Sequence, residues 1–296
     1  MITIIEKNIF ALEEIKTNKE HMSIKVFYSP SMIANASEIS PSMLKPMQVV
    51  DSWLSLYPNL IIEEPTPVTK EQLYLAHDSD YVDDILSCKS ENGFNNRLQE
   101  VADALPYTSG SMLAAATEAL TSKVAVAPCS GFHHAGYDSA EGFCTFNGLI
   151  VTAQVLKQSS LVDSVGIVDF DMHYGNGTDD CINYLKLNYI KHFTAGKSYF
   201  KESQAEEFLN KIPSIIESMK DCDLILYQAG ADPHIQDPFG GFLTNDQLRK
   251  RDRLVFENCK KYNLSIAWNL AGGYQKPLRK VLDIHDATMQ ECLSIF

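Results

Sequence analysis

Short runs of apolar, mostly β-branched residues alternate along the chain with longer segments in which apolar residues recur every three or four positions. The short runs predict buried strands at residues 24–28, 124–127, 165–170, 224–227 and 265–268. The longer segments predict helices at residues 43–56, 109–120, 149–157, 205–219, 246–262 and 277–293. Asn245 is expected at a helix start and Pro277 in the first turn of the last helix.

This alternation predicts βαβ units, and therefore a mostly parallel sheet covered by helices on both faces. The sequence contains no Pro/Gly/Ser-rich linker, low-complexity tract or internal repeat. We therefore expect an α/β fold, a three-layer α/β/α domain that takes in residues 1–296 as a single domain.

Polar clusters follow four of the predicted strands. They contain His133 and His134, then Asp169, Asp171, His173 and Asn176, then Asp232, and finally Gly272, Gly273 and Tyr274. Because ligands of open α/β sheets bind outside the carboxyl ends of the strands, these clusters are expected to converge on one crevice.

Asp171 and His173 stand two positions apart, so that they would face the same side of a regular strand and could hold one cation at its end. Asp232 would arrive from a neighbouring strand as the third ligand. Two carboxylates and one imidazole suit a metal site with an open position. An N-capping aspartate and a structural histidine remain the alternative, because Asp-x-His alone is a weak motif.

Beside a metal site, His133 and His134 become candidates for a general acid and base, although such a pair is often structural. Asp169 and Asn176 could each orient one of the two rings; a buried carboxylate that supports the strand end is the other reading of Asp169. Tyr274 could donate to a developing oxyanion, or simply pack.

Composition narrows the class of protein. Apolar residues make up 45% and charged residues 21% of the 296 residues, as in ordinary globular proteins. The net charge of −13 argues against nucleic acid or an anionic membrane as the main partner and suits a cationic substrate. No apolar run approaches ~18 residues, so no membrane span is expected.

Two further features concern the compartment. The seven cysteines form no Cys-x-x-Cys pair, which disfavours a disulfide framework and a thiolate zinc site. The first 16 residues lack the basic start of a signal peptide. We read this segment as mature protein and expect a cytoplasmic location with reduced cysteines.

Four segments together resemble the zinc-dependent histone deacetylase superfamily, which has an arginase-like fold. They read GFHHAGYDSAEGFCTFNG, VDFDMHYGNGT, YQAGADPH and AGGYQ, and their order and spacing agree over roughly residues 125–290. Some of the text is most similar to class IV histone deacetylases, and acetylpolyamine amidohydrolases are related. The resemblance implies a zinc ion bound by Asp171, His173 and Asp232.

The resemblance also implies roles for the neighbouring residues. His134 would be the main base and acid, with His133 as its electrostatic partner, and Tyr274 would polarise the scissile carbonyl. The carbonyls of Asp169, Asp171 and His173 would help to hold a structural potassium ion. The residues that would line the acyl channel are Phe132, Gly142, Phe143, Gly272 and Gly273.

The expected activity is the removal of acetyl or longer acyl groups from lysine side chains in a protein or peptide. Hydrolysis of acetylated polyamines and non-catalytic binding of acyl-lysine are the alternatives. Arginase-type chemistry is disfavoured, because its second metal would need aspartates where Gly175 and His234 stand. Departures from the family pattern occur at Gly148, at Asn176 and in a short loop after Tyr199, and they concern the rim and specificity.

Overall fold

The computed structural model describes residues 24–296. Within these residues, seven strands form one sheet in the order β2-β1-β3-β7-β6-β4-β5, and every neighbouring pair is parallel. The strands are β1 (Lys25–Phe27), β2 (Ile61–Glu63), β3 (Val124–Ala127), β4 (Val165–Asp169), β5 (Ile190–Thr194), β6 (Leu224–Gln228) and β7 (Ser265–Asn269).

Helices cover both faces of the sheet in the described part of the chain. They are α1 (Lys45–Leu56), α2 (Lys70–Leu73), α3 (Ser79–Leu86), α4 (Gln99–Ser122), α5 (Gly148–Gln158), α6 (Asn176–Leu185), α7 (Ala205–Ser218), α8 (Asn245–Lys261) and α9 (Arg279–Ile295).

Side chains of the central strands alternate between two apolar cores. On β6, Leu224 and Leu226 join the core that α4 and α5 cover, whereas Ile225 and Tyr227 join the core of α1, α7, α8 and α9. The predicted three-layer α/β/α architecture is therefore confirmed.

The five predicted strands are present with ends that differ by at most one residue, but the two edge strands were missed. β2 has only three residues, and the middle of β5 is partly exposed, so neither forms a continuous apolar run. Helix α4 begins ten residues before its predicted start, because Pro106, which usually breaks a helix, lies inside it.

Helix starts were predicted with mixed success. Helix α8 does begin at Asn245, and the side chain of Thr244 caps it. The prediction for Pro277 was wrong, because α9 begins at Arg279 and Pro277 lies in the preceding turn. Short helices α2, α3 and α6 were not predicted.

At the amino edge of the sheet, a surface hollow lies where the described chain starts and ends. Its lining includes Ile24, which precedes β1, Leu60, which precedes β2, and Phe296, the last described residue. In residues 24–296 no helix is long and apolar enough to cross a membrane. The segment interpreted above as mature N-terminal sequence lies outside the described residues.

Candidate active site

The last residues of four neighbouring strands stand in one row. The backbone register pairs Ala127 of β3 with Asn269 of β7, Asn269 with Gln228 of β6, and Gln228 with Asp169 of β4. The side chains continue this row, because Asn269 donates to Gln228 over 3.1 Å and Gln228 donates to Asp169 over 3.4 Å. The predicted site lies directly beyond this buried polar row.

Asp171, His173 and Asp232 come together just beyond this row. Their ligand atoms lie within 4.8 Å of one another. The His173 Nδ1 atom is 3.2 Å from Asp171 Oδ1 and 3.1 Å from Asp232 Oδ2. Tetrahedral coordination with bonds of ~2.0–2.1 Å puts ligand atoms about 3.3 Å apart, so the observed spacing fits one such ion.

The geometry of this cluster comes from loops, which the strand-based prediction did not anticipate. β4 ends at Asp169, so Asp171 and His173 face each other through a turn in which the His173 N–H donates to Asp171 Oδ1 over 2.9 Å. Other main-chain N–H groups fix the carboxylates: Gly272 donates to Asp171 over 2.8 Å and Met172 donates to Asp232 over 3.2 Å.

Position 272 admits only a glycine. A Cβ atom there would lie 2.3 Å from Asp232 Oδ2 and 2.8 Å from Asp171 Oδ2. The predicted glycine at 272 therefore allows the backbone to approach both carboxylates, which is a different role from lining a channel.

The charges of the cluster also fit a cation. Hydrogen bonds to Asp171 and Asp232 raise the pKa of His173 to about 11. Burial, together with the charge of Asp171, raises the pKa of Asp232. A proton is thus bound tightly where two buried carboxylates meet, and a metal ion would neutralise the same charge.

His133 is held deep in the site between two carboxylates. Its Nδ1 atom is 2.8 Å from Asp169 Oδ2, and its Nε2 atom is 3.6 Å from Asp171 Oδ1. Burial lowers its pKa, but the charges of Asp169 and Asp171 outweigh burial and raise the pKa of His133 to about 9. This ring is therefore stabilised as the cation.

His134 lies beside it, with ring centroids 4.1 Å apart, yet has a neutral partner. The His134 Nδ1 atom is 2.6 Å from Asn176 Oδ1, at the start of α6. Burial and the positive charge of His133 lower the pKa of His134. Two adjacent histidines are thus driven towards opposite protonation states, as their predicted partners imply.

The turn at residues 141–144 closes over His134. Gly142 has φ +55° and lies so close to the His134 ring that a Cβ atom would be 2.5 Å from Cδ2. Phe143 also has a positive φ, of 64°, and its N–H donates to Gly93 over 2.9 Å. The positive φ is unstrained at a glycine, but at Phe143 it is backbone strain of the kind that clusters at functional sites.

Tyr274 lies among aromatic rings at the opening of the site. Its ring centroid is 5.8 Å from that of Phe143 and 4.8 Å from that of Phe239. The Tyr274 N–H donates to Asp237 over 2.8 Å, which fixes the backbone after Gly273. Burial, with the charges of Asp232 and Asp171, raises the pKa of the Tyr274 hydroxyl well above its usual value, so the phenol keeps its proton.

Phe132 lies deeper than a channel wall at the opening would. A Cβ atom on Gly148 would lie 2.4 Å from its ring, which accounts for the glycine at 148. Phe132 also lines an internal cavity with Met32 and Leu105. The volume of this cavity that the centre of a water molecule can occupy is about 30 Å³.

Two buried cations were missed by sequence reasoning. Lys45 at the start of α1 is fully buried, and its ammonium donates to the Ala271 carbonyl over 2.7 Å. Arg251 in α8 is fully buried and donates to the carbonyls of Phe170 over 3.1 Å and Gly230 over 2.6 Å. Arg251 thus joins the two loops that carry the carboxylates of the cluster. Lysines and arginines in helices usually predict solvated faces, so no simple pattern marks these two.

Among the described residues, Asp171, His173 and Asp232 are the one group of three or more metal-ligating side chains close enough to share an ion. Gly175 and His234 occupy the positions at which, from the sequence, an arginase-type second metal was expected to need aspartates. At Gly175 even a Cβ atom would lie 2.5 Å from Asp169 Oδ2, so no longer side chain fits there. The site therefore suits one metal ion.

The histone deacetylase domain model matches residues 40–200, which is more than half of the chain and includes both histidines, Asp171 and His173. The chain belongs to the histone deacetylase family, as the sequence motifs predicted. Asp232 and Tyr274 lie beyond the matched range, and the fold brings them to the same place.

Curated relatives are distant. An uncharacterized protein of Picosynechococcus sp. is 26% identical over 256 residues, which are 78% of this chain and 83% of that protein. Histone deacetylase 2 of Arabidopsis thaliana is 25% identical over 252 residues, 75% of this chain, and the chain spans 65% of that protein's length. Human histone deacetylase 7 is 39% identical over 62 residues, 19% of this chain and 6% of that protein.

Among solved structures, the crystal structure of the HDA15 HD domain has the same fold. It aligns with a TM-score of 0.73 and 20% sequence identity, over 92% of this chain and 90% of that chain. The arginase-like fold is thus shared at low identity.

Proposed function

We propose that this protein is a zinc-dependent hydrolase that removes acetyl or longer acyl groups from the side-chain amide of lysine. The observation that carries the proposal is the cluster of Asp171, His173 and Asp232 beside two histidines whose pKa values are shifted in opposite directions. Membership of the histone deacetylase family supports it. The pairing is suited to amide hydrolysis, which requires a base for the water and an acid for the leaving amine.

Asp171, His173 and Asp232 would hold the zinc ion, because their donor types and spacing fit a tetrahedral site with one position open. When bound, zinc supplies Lewis acidity to the amide carbonyl and lowers the pKa of water. The main-chain N–H groups that orient both carboxylates act as the outer partners of such a site. A structural potassium ion near the carbonyls of Asp169, Asp171 and His173 remains a prediction.

His134 would take the proton from water at its Nε2 atom and later donate a proton to the leaving amine. Its lowered pKa keeps Nε2 free to accept that proton near neutral pH. His133, whose pKa is raised, would stay positively charged and favour the negative charge that develops on the carbonyl oxygen of the substrate. Tyr274 keeps its hydroxyl proton and would donate it in a hydrogen bond to the oxyanion.

The residues at the opening of the site support a lysine side chain as the substrate group. Phe143 and Phe239, with centroids 6.5 Å apart, offer apolar walls to a methylene chain. The net charge of −13 favours a cationic substrate, which a lysine-containing peptide and a polyamine both are. The inner cavity beside Phe132 has room for about two waters, which is the scale of a short acyl group, and relaxation of its Met and Leu lining would be needed for longer chains.

The test is a substrate panel with the zinc-loaded protein. Acetyl-, butyryl- and octanoyl-lysine peptides are compared with N-acetylspermidine by kcat/KM, and His134→Ala serves as the inactive control. Turnover of at least one acyl-lysine peptide that exceeds turnover of acetylspermidine supports the proposal.

Preference for acetylspermidine would instead identify a polyamine amidohydrolase. Stoichiometric zinc with tight peptide binding but no turnover would identify a non-catalytic binder. A rise of kcat/KM from acetyl to octanoyl would show that the inner cavity opens to longer chains. Each methylene buried there would contribute up to about 0.8 kcal/mol of binding free energy.

A further inference from the structure

A side chain at the rim of the site reaches the partner of the proposed base. The Asn176 amide accepts from His134 through Oδ1 and donates through Nδ2 to Glu141 Oε2 over 3.1 Å. Glu141 is exposed, but its main chain is fixed, because it exchanges two hydrogen bonds with Cys144, of 3.1 and 2.8 Å. The turn that packs Gly142 on the His134 ring therefore also directs this carboxylate.

The contact matters because an amide has two different ends. With Oδ1 towards His134, the ring must carry its proton on Nδ1, and Nε2 is then free to accept a proton. With the amide rotated by half a turn, Nδ2 would face Nδ1 and require the other tautomer, in which Nε2 already carries a proton. A carboxylate can only accept, so Glu141 favours the first orientation and opposes the second.

We propose that Glu141 is a positioning residue that fixes the Asn176 amide and thereby holds His134 in the tautomer with a free Nε2 atom. The inference rests on the proposed hydrolase function for its consequence in catalysis. A carboxylate in place of Asn176 would need no such support, because it presents oxygen whichever way it turns. Glu141 thus compensates for a neutral partner beside the base.

The first experiment compares three single variants by steady-state kinetics on an acyl-lysine peptide. Glu141→Ala is expected to lower kcat about three- to tenfold with KM little changed, which is the scale of one hydrogen bond. Glu141→Gln keeps an acceptor oxygen but also offers a donor, so its kcat is expected to lie between those of Glu141→Ala and the wild type. Glu217→Ala, an exposed glutamate on α7, is the matched control and should match the wild type.

The second experiment is a double-mutant cycle with Asn176→Asp. In that background the amide N–H group is gone and two carboxylates face each other, so Glu141→Ala should leave kcat unchanged or raise it. An equal loss of kcat in both backgrounds would overturn the proposal, because the effect of Glu141 would then not pass through Asn176.

A third readout does not depend on activity. In the metal-loaded protein, ¹⁵N chemical shifts of His134, assigned by comparison with His134→Ala, are expected to report a bare Nε2 atom in the wild type. In Glu141→Ala a mixture of both tautomers is expected. An unmixed Nδ1–H tautomer in that variant would refute the proposal even if peptide turnover were absent. Absence of turnover with the expected tautomers would refute only the hydrolase function.

Discussion

The floor and the mouth of the site are built in different ways. We call Asp169, Asp171, Asp232 and His133 the floor; their side chains are no more than 4% exposed. We call Glu141, Phe143, Phe239 and Tyr274 the mouth; Phe239 is 44% exposed and Glu141 faces solvent. The floor is fixed by strand ends and main-chain N–H groups, whereas the mouth is supplied by loops and a strained turn.

The difference separates two kinds of function. Buried charges that are fully hydrogen-bonded tolerate little change, since loss of one partner leaves another charge unpaired. Exposed aromatic walls can be exchanged with less effect on the rest of the molecule. We therefore expect the floor to determine the chemistry and the exposed aromatic walls of the mouth to determine which substrate enters. Tyr274 and Glu141 are the mouth residues that would also act on the chemistry.

The largest effect is expected from Asp232→Ala in the floor. It removes one of the three proposed ligands and leaves the Met172 N–H without its acceptor. Bound metal should fall from about one ion per chain to near zero. The loss of activity should exceed the ~10–100-fold that loss of an outer partner costs. Elemental analysis after gel filtration and kcat measure this, with the exposed Asp221→Ala as control. A full equivalent of metal in Asp232→Ala would contradict the ligand assignment.

Tyr274→Phe tests whether a mouth residue also takes part in the chemistry. The ring and its aromatic contacts remain, and only the hydroxyl is lost. We expect unchanged metal content and melting temperature but a kcat that is lower by roughly 10²–10³, the scale of one oxyanion donor. Near-normal kcat would show that the tyrosine is there for packing alone.

Asn176→Asp tests the contrast between the protonation states of the two histidines. In the wild type, burial and the charge of His133 lower the pKa of His134. A carboxylate partner favours the imidazolium and should raise that pKa. The base is then protonated up to a higher pH, so the acidic limb of the kcat/KM profile should move to higher pH.

The profile of Asn183→Asp, with the same added charge on an exposed position of α6, is the control. The two rings are coupled, so the limbs report apparent pKa values of the pair. An unchanged or lowered limb with normal metal content would show that Asn176 does not act on the base.

The smallest effect is expected from Phe239→Ala in the mouth. The loss of aromatic contact, worth about 0.5–1.5 kcal/mol, should raise KM by about two- to tenfold and leave kcat within twofold. Leu161→Ala, at an exposed turn before β4, is the matched control. A fall in kcat as large as that of Tyr274→Phe would show that Phe239 takes part in the chemistry and is not only a wall for the substrate.

Most of the fold could be predicted because the central strands are buried on both faces and appear as unbroken apolar runs. The edge strands could not, since β5 places Lys191 and His192 in partly exposed positions. The start of helix α4 was predicted ten residues too late. Pro106 lies inside this helix, and a proline is rarer inside a helix than at its start.

Metal-binding and acid–base side chains could be predicted as one site because each follows a strand whose carboxyl end faces the same edge. The row of Asn269 and Gln228 depends on register between strands that are distant in sequence, and no local pattern encodes that. Phe239 and Glu141 were missed for a related reason. Their roles depend on loop conformations, and Phe143, which was predicted, has a backbone conformation that non-glycine residues rarely adopt.

The hollow formed by Ile24, Leu60 and Phe296 has a practical consequence for handling the protein. It lies at the amino edge of the sheet, and the mouth opens at the carboxyl edge. A capture tag or surface linker joined after Phe296 would therefore extend from the side of the protein opposite the mouth. Protein immobilised in this way should present the mouth to bulk solution, where even a folded protein substrate could approach it.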